Sequence, residues 1–235
     1  MGAHHQGLAL RRETLLESLR RFPGDAGMIQ RLGQELEASG DWPLMVEALQ
    51  PQLQHVKAGT PLEAQITYLL AKASLELGDE RRALALIGRS LLGRPDFAFS
   101  HHIKGRALAR LQRCAEAIAA QQRCVELAPT FCWGWFELGC QLRHQGDLEH
   151  AMGSLRRALA LQPAENQHHH RLIERALGEV EAEFAQRERQ EAALSLWPDR
   201  ALVPQGQRLP SLDEIELQLE QFRLFLHRHE ARRSR

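Results

Sequence analysis

Pro95, Pro129 and Pro163 stand 34 residues apart along this 235-residue chain. A proline stops a helix, because it lacks the backbone donor and its ring clashes with the preceding turn. Three stops at one spacing therefore mark a repeated unit, and periods of roughly 20 to 50 residues belong to stacked architectures in which each unit buries its apolar face against the next. A helical solenoid is the expected fold, and this period constrains it more than any single residue does.

The clearest unit runs from Cys132 to Glu165, CWGWFELGCQLRHQGDLEHAMGSLRRALALQPAE. Counting Cys132 as one, Trp135 is fourth, Leu138 and Gly139 seventh and eighth, Ala151 twentieth, Leu155 twenty-fourth, Ala158 twenty-seventh and Pro163 thirty-second. Small residues at Gly139 and Ala151 let two antiparallel helices approach closely, large apolar neighbours fill their interface, and Gly146-Asp147 closes the turn between them. The pattern resembles the tetratricopeptide repeat (TPR). The resemblance extends to the units 98–131 and 64–97, where Gly105, Leu108, Ala117, Ile118, Cys124, Leu70, Ala71, Gly78, Asp79, Ala83 and Ile87 keep register. His101 and Lys104 replace the usual tryptophan and leucine.

A degenerate unit, 26–63, keeps Leu32-Gly33 and Gly40-Asp41-Trp42, but has Met45 at the small position, Pro51 inside its second helix and a longer connection from His55 to Pro61. Before it, residues 1–25 read as an N-terminal capping helix through Leu15, Leu16, Leu19 and Phe22. After the four units, 166–197 reads as a C-terminal capping helix with Leu172, Ala176, Val180, Phe184 and Leu194 at helical spacing. Residues 198–210, with Pro198, Pro204 and Pro210, read as a linker. A last amphipathic helix, 211–235, opens on a Ser211/Glu214 capping box and carries the stripe Leu212, Ile215, Leu219, Phe222 and Leu226. The fold class is thus all-α, a TPR solenoid with helical caps at both ends.

Thirty basic and thirty acidic side chains cancel, so no global field draws the chain to nucleic acid or membrane. The N-terminus MGAHHQGLALRR has no apolar signal region and no run reaches a membrane span, which makes the cytoplasm the expected compartment. Cys114, Cys124, Cys132 and Cys140 include no C-x-x-C pair, and they read as reduced packing residues. His168-His169-His170 and His101-His102 are consecutive, and neighbours on a helix diverge by about 100°, so neither set converges on one metal ion. No phosphate loop, nucleophile elbow or paired-carboxylate motif occurs. The expectation is no enzyme, no cofactor and no metal site.

What the resemblance implies about binding is more specific. In such repeats the first helices line a groove with positions two, five, nine, twelve and thirteen. Here those positions hold Tyr68, Lys72 and Glu76, then Phe99, His102, Arg106 and Arg110, then Trp133, Phe136, Cys140, Arg143 and His144, with His170 and Glu174 in the cap. The expected wall is basic and aromatic, suited to a protein or peptide with acidic and apolar side chains. Trp135, at the family's interior position, is expected in the core. The set by which some members hold a C-terminal carboxylate is missing, because its positions carry Tyr68, Lys72, Ile103, Trp133 and Glu137. The 211–235 stripe has three open fates: a cap on the solenoid, a homodimer seam, or a ligand for the groove. The chain reads as an adaptor or assembly factor; the alternative is a recognition subunit of an enzyme, or an enzyme whose site is unrecognisable. The register makes one stability prediction. Ala151→Leu should overpack its helix contact and cost about 1 to 3 kcal/mol, and a variant melting like the parent would overturn the assigned register.

Overall fold

The computed structural model describes residues 2–162 and 166–195, with side chains placed over 12–162 and 166–192. Pro163, Trp197, the 198–210 linker and the 211–235 helix lie outside the described residues. Two compact units divide the chain, Met1–Gly178 and Glu179–Arg235. The first holds helices α1 (Gly2–Arg21), α2 (Ala26–Ser39), α3 (Trp42–Leu49), a 3-10 turn Pro51–Gln54, α4 (Pro61–Glu76), α5 (Glu80–Gly93), α6 (Ala98–Arg110), α7 (Cys114–Leu127), α8 (Cys132–Gln145) and α9 (Leu148–Leu161). Helix α10 (Gln167–Ser195) begins in the first unit, and its end is the described part of the second, where Arg187 meets Glu191 at 3.1 Å one turn on. Among the described residues there is no strand, and no helix long and apolar enough to cross a membrane.

The dominant packing joins α4 to α5, α6 to α7 and α8 to α9, with α5 on α6 and α7 on α8 linking successive pairs. Small residues make these contacts feasible. A Cβ on Gly139 would sit 2.7 Å from Leu155 Cγ, and Ala151 and Ala158 are fully buried. Ala83 and Ala117 repeat Ala151 at the same offset and are equally buried. Met45 takes that offset in the first pair and is buried too, while α3 stops at Leu49 because Pro51 follows. Gly33 consequently faces α4, where its Cβ would lie 2.7 Å from Leu69 Cδ1.

The turns between paired helices are nearly superposable in their hydrogen bonds. Asp41, Asp79, Arg113 and Asp147 donate their backbone N–H to Leu36, Ser74, Leu108 and Leu142 carbonyls at 3.1, 2.8, 2.9 and 3.0 Å. Each turn needs a left-handed residue, supplied by Gly40, Gly78 and Gly146 at φ of 69°, 82° and 84°, but by Gln112 at 60°. Asp41, Asp79 and Asp147 then cap the next helix by accepting from Leu44, Arg82 and His150 N–H. Arg113 provides no such cap and instead pairs with Glu116 at 2.7 Å.

Three sequence expectations change here. Trp135 is half-buried rather than core, and its indole N–H donates to the Pro129 carbonyl at 3.0 Å. At the same offset one unit earlier, His101 Nε2 lies 2.9 Å from the Pro95 carbonyl, so either ring ties the helix start to the preceding proline turn. Phe22 is 54% exposed because α1 ends at Arg21, leaving Leu19 as the buried anchor of that helix. In α10 it is Ile173, not Leu172, that is buried, alongside Val180; Leu172 is 41% exposed. The α6–α7 turn lacks both the glycine and the cap of its counterparts. Gln112→Gly with Arg113→Asp should therefore raise unfolding free energy by about 1 to 2 kcal/mol in a urea titration; an unchanged or lower midpoint would mean the turn is not strained.

Candidate functional site

The first helices of the pairs present one open groove of about 860 Å³. Gln30, Gln34 and Glu37 come from α2, Gln65, Tyr68, Leu69 and Lys72 from α4, and Phe99, His102, Ile103 and Arg106 from α6. Trp133 and Glu137 follow from α8, and Arg94, Phe97 and Phe131 from the turns that precede α6 and α8. Of the residues expected from sequence, Tyr68, Lys72, Phe99, His102, Arg106 and Trp133 share this lining. Glu76, Arg110, Phe136, Cys140, Arg143, His144, His170 and Glu174 are not among its lining residues. Phe136 packs its ring 5.4 Å from Trp133, which also meets His169 at 4.8 Å, and His170 lies 3.4 Å from Glu174 on α10.

The groove's apolar character comes from rings packed edge to face. Tyr68, Phe97, Phe99 and Phe131 follow one another at centroid separations of 5.1, 5.4 and 5.0 Å, and His102 meets Phe131 at 5.1 Å. Such arrangements match the electropositive edge of one ring to the face of the next. Phe97 and Phe131 escaped the sequence reading, since they precede the helices that the offset rule counts. Their signal was present, because both stand two residues after a period-setting proline. The same rule, carried onto the unit from Ala26, would have named Gln30, Gln34 and Glu37 at positions five, nine and twelve.

Electrostatically the groove is balanced more than basic. Lys72 reaches Glu37 at 3.2 Å and lies 5.9 Å over Trp42. Arg106 bridges Glu76 at 2.9 Å and Glu137 at 3.5 Å. Arg110 approaches Glu76 at 3.9 Å and Glu80 at 3.8 Å, and also donates to the Leu75 carbonyl. Burial raises the Glu137 pKa, an effect that Arg106 and Arg110 offset and Glu76 reinforces. A row of acids thus answers the row of bases.

His102 and Tyr68 are both strongly perturbed by burial, which raises the Tyr68 phenol and lowers the His102 imidazole. His102 is buried, and its Nδ1 lies 3.3 Å from Gln121 Oε1, while Gln121 Nε2 donates to the His102 carbonyl at 3.2 Å. An amide oxygen only accepts, so Nδ1 carries the proton and Nε2 is left as an acceptor. Gln121 takes the offset that Ile87 and Leu155 fill elsewhere, which makes this buried polar pair a local departure from the repeat. Burial, then the Arg106 charge, lower the imidazole pKa from 6.5 to about 4, against the raising effect of the Gln121 bond. Elsewhere, burial pushes the Cys124 thiol up to about 11, which makes it a poor nucleophile. No three metal-ligating side chains converge among the described residues.

Residues 100–131 match a tetratricopeptide-repeat family model. Among solved structures, MamA superposes with a TM-score of 0.56 at 16% identity, over 67% of this chain and 91% of its own. A chain of the APC/C hetero-tetramer Cut9-Hcn1 gives 0.62 at 18% identity, over 76% of this chain and 34% of its own. YrrB, described as a TPR protein with an unusual peptide-binding site, gives 0.54 at 16% identity over 74% and 85%. No curated protein sequence matches the chain.

The His102 environment carries a pH prediction. The unfolded chain takes up a proton near 6.5 and the folded protein only near 4, so this site's contribution to stability is complete above about 6.5 and is lost as pH falls toward 4. Between pH 7 and 5.5 the parent should lose about 1 kcal/mol that His102→Gln does not lose. His150, raised by its hydrogen bond to Asp147, acts in the opposite direction. Parallel stability curves for parent and variant would show that His102 titrates as an exposed imidazole does.

Proposed function

Because this chain is a tetratricopeptide-repeat protein, we propose that it acts as a non-catalytic protein-interaction module, an adaptor or assembly factor that holds a segment of its partner in the groove between α2 and α8. The observation that carries this reading is the ring series Tyr68, Phe97, Phe99 and Phe131 on an open surface of about 860 Å³. Phe99 remains 39% exposed at its centre. Aromatic side chains held in this way offer contact area at small entropic cost, which is why such rings dominate binding energy at interfaces.

Polar groups around the rings suit an extended backbone. Gln30, Gln34 and Gln65 line the α2–α4 end, and a primary amide both donates and accepts, matching the alternating N–H and C=O of a peptide. His102 Nε2 adds an acceptor beside Phe131. The fold generally serves as a scaffold for binding. YrrB is described with a peptide-binding site, and the TPR2B domain of yeast Sti1, similar at a TM-score of 0.50 and 20% identity, is described in complex with pHsp70. These support a peptide or protein ligand here.

The groove's internal ion pairs change how the reading should be tested. Reversing Arg106 or Arg110 would set a carboxylate against Glu76, Glu80 and Glu137, mixing a folding penalty into any loss of binding. Phe99→Ala removes an exposed ring and avoids that confusion. Affinity purification with the parent should recover a partner in stoichiometric amount, and Phe99→Ala should weaken that complex by about 2 kcal/mol at unchanged helical content. Equal binding by both proteins would move the interface off this groove.

A further inference from the structure

We infer that Arg94 reads a side-chain carboxylate on the partner segment, next to an apolar residue seated on the Phe97, Phe99 and Phe131 rings. This rests on the groove binding a peptide, and it specifies what that peptide must carry. The argument begins with the other groove-lining cations. Lys72 and Arg106 already face Glu37, Glu76 and Glu137 within 3.5 Å, so an incoming acid would compete with an existing partner for either. Arg94 is exposed on the same lining, and its guanidinium has no hydrogen bond or ion pair with the described residues. Its carbon lies over the Phe97 ring, 4.2 Å from the centroid.

Local backbone geometry sets this placement. The Phe97 N–H donates to the Arg94 carbonyl at 3.2 Å, closing a short turn around Pro95. One unit later the same turn recurs, with Phe131 N–H donating to the Ala128 carbonyl at 3.0 Å. Both turns deliver a phenylalanine to the groove, but alanine gives the second no head group. The cation is therefore an addition to the repeat at one position and is not required for the turn. A guanidinium resting on a ring loses little further freedom on binding, and its edge N–H groups remain available for a two-point contact with a carboxylate.

The surroundings favour a single carboxylate over a more highly charged group. Glu37 and Glu137 share the lining with Arg94, and their field opposes a phosphate dianion more than a monoanion. A side-chain carboxylate is favoured over a chain end because the positions that grip a C-terminus in related repeats hold Tyr68, Ile103, Trp133 and Glu137 beside Lys72.

The test uses the full chain and an array of synthetic heptapeptides, acetylated and amidated so that no terminal charge remains. Each has a central Leu or Phe, with Asp, Asn or Lys scanned through the flanking positions. The parent should prefer one Asp position over its Asn counterpart by about tenfold. Arg94→Gln should bring that ratio to within about twofold while still binding the Asn series, and Arg94→Lys should restore part of it. An Asp preference that Arg94→Gln leaves intact, on peptides whose binding Phe99→Ala abolishes, overturns the Arg94 assignment and leaves the groove reading standing. A preference for Lys, or one seen only with free C-termini added to the array, likewise overturns the assignment. If the parent retains no peptide, or Phe99→Ala changes nothing, the groove reading itself fails.

Discussion

The close approach of paired helices at a residue too small to obstruct it is the contact on which the rest of the first unit depends. Gly139 against Leu155 shows the tolerance, since a single methyl group would come within 2.7 Å of a branched carbon. Interiors pack at crystal-like density, so such a contact fixes helix separation closely. Ala83, Ala117 and Ala151, all fully buried, hold the partner helices at a similar distance. Where Met45 takes the small position, α3 is short and Gly33 makes its tight contact with Leu69 of α4 instead.

With the helix pairs set, the faces of α2, α4, α6 and α8 line a common surface, and function is a matter of what those faces carry. Here they carry rings at the centre, amides at one end and charges that neutralise one another. Half-buried pairs such as Arg106 with Glu76 and Glu137 contribute modestly to stability, but they order the wall and remove its net pull on any acid. On the proposed reading, fit to the rings and whichever charge remains uncommitted would select a partner. The Gln121–His102 pair reaches the same surface from behind. Gln121 places an amide where the neighbouring units have Ile87 and Leu155, and two hydrogen bonds to His102 satisfy it and leave the neutral imidazole's remaining nitrogen as an acceptor.

Much of this was legible in the chain. The 34-residue period set the helix pairs, the glycine turns and the buried alanines, because each follows from local sterics repeated at fixed spacing. Six of the fourteen expected wall positions share one lining for the same reason. What escaped the offset rule was of two kinds. Phe97, Phe131 and Arg94 sit on turns outside the counted helices, and Glu37 and Glu137 become significant only when their distance to Lys72 and Arg106 is known. Trp135 and His101 show the converse, since unlike residues at one offset reach the same proline carbonyl.

A helical repeat and its phase follow from the string alone, since prolines, glycines and alanines act through backbone sterics that no distant contact need complete. The string also determined which residue types reach the first-helix faces. Only the tertiary structure decided the electrical character of the groove, because pairing depends on side chains about 30 positions apart meeting within a few ångströms. It likewise decided that His102 is neutral, through burial and the Arg106 charge, and that Arg94 lies over a ring and makes no ion pair among the described residues, while the other groove-lining cations, Lys72 and Arg106, are paired. Periodicity is a one-dimensional property and survives in the string; charge compensation is a property of distances, and those exist only once the helices are stacked.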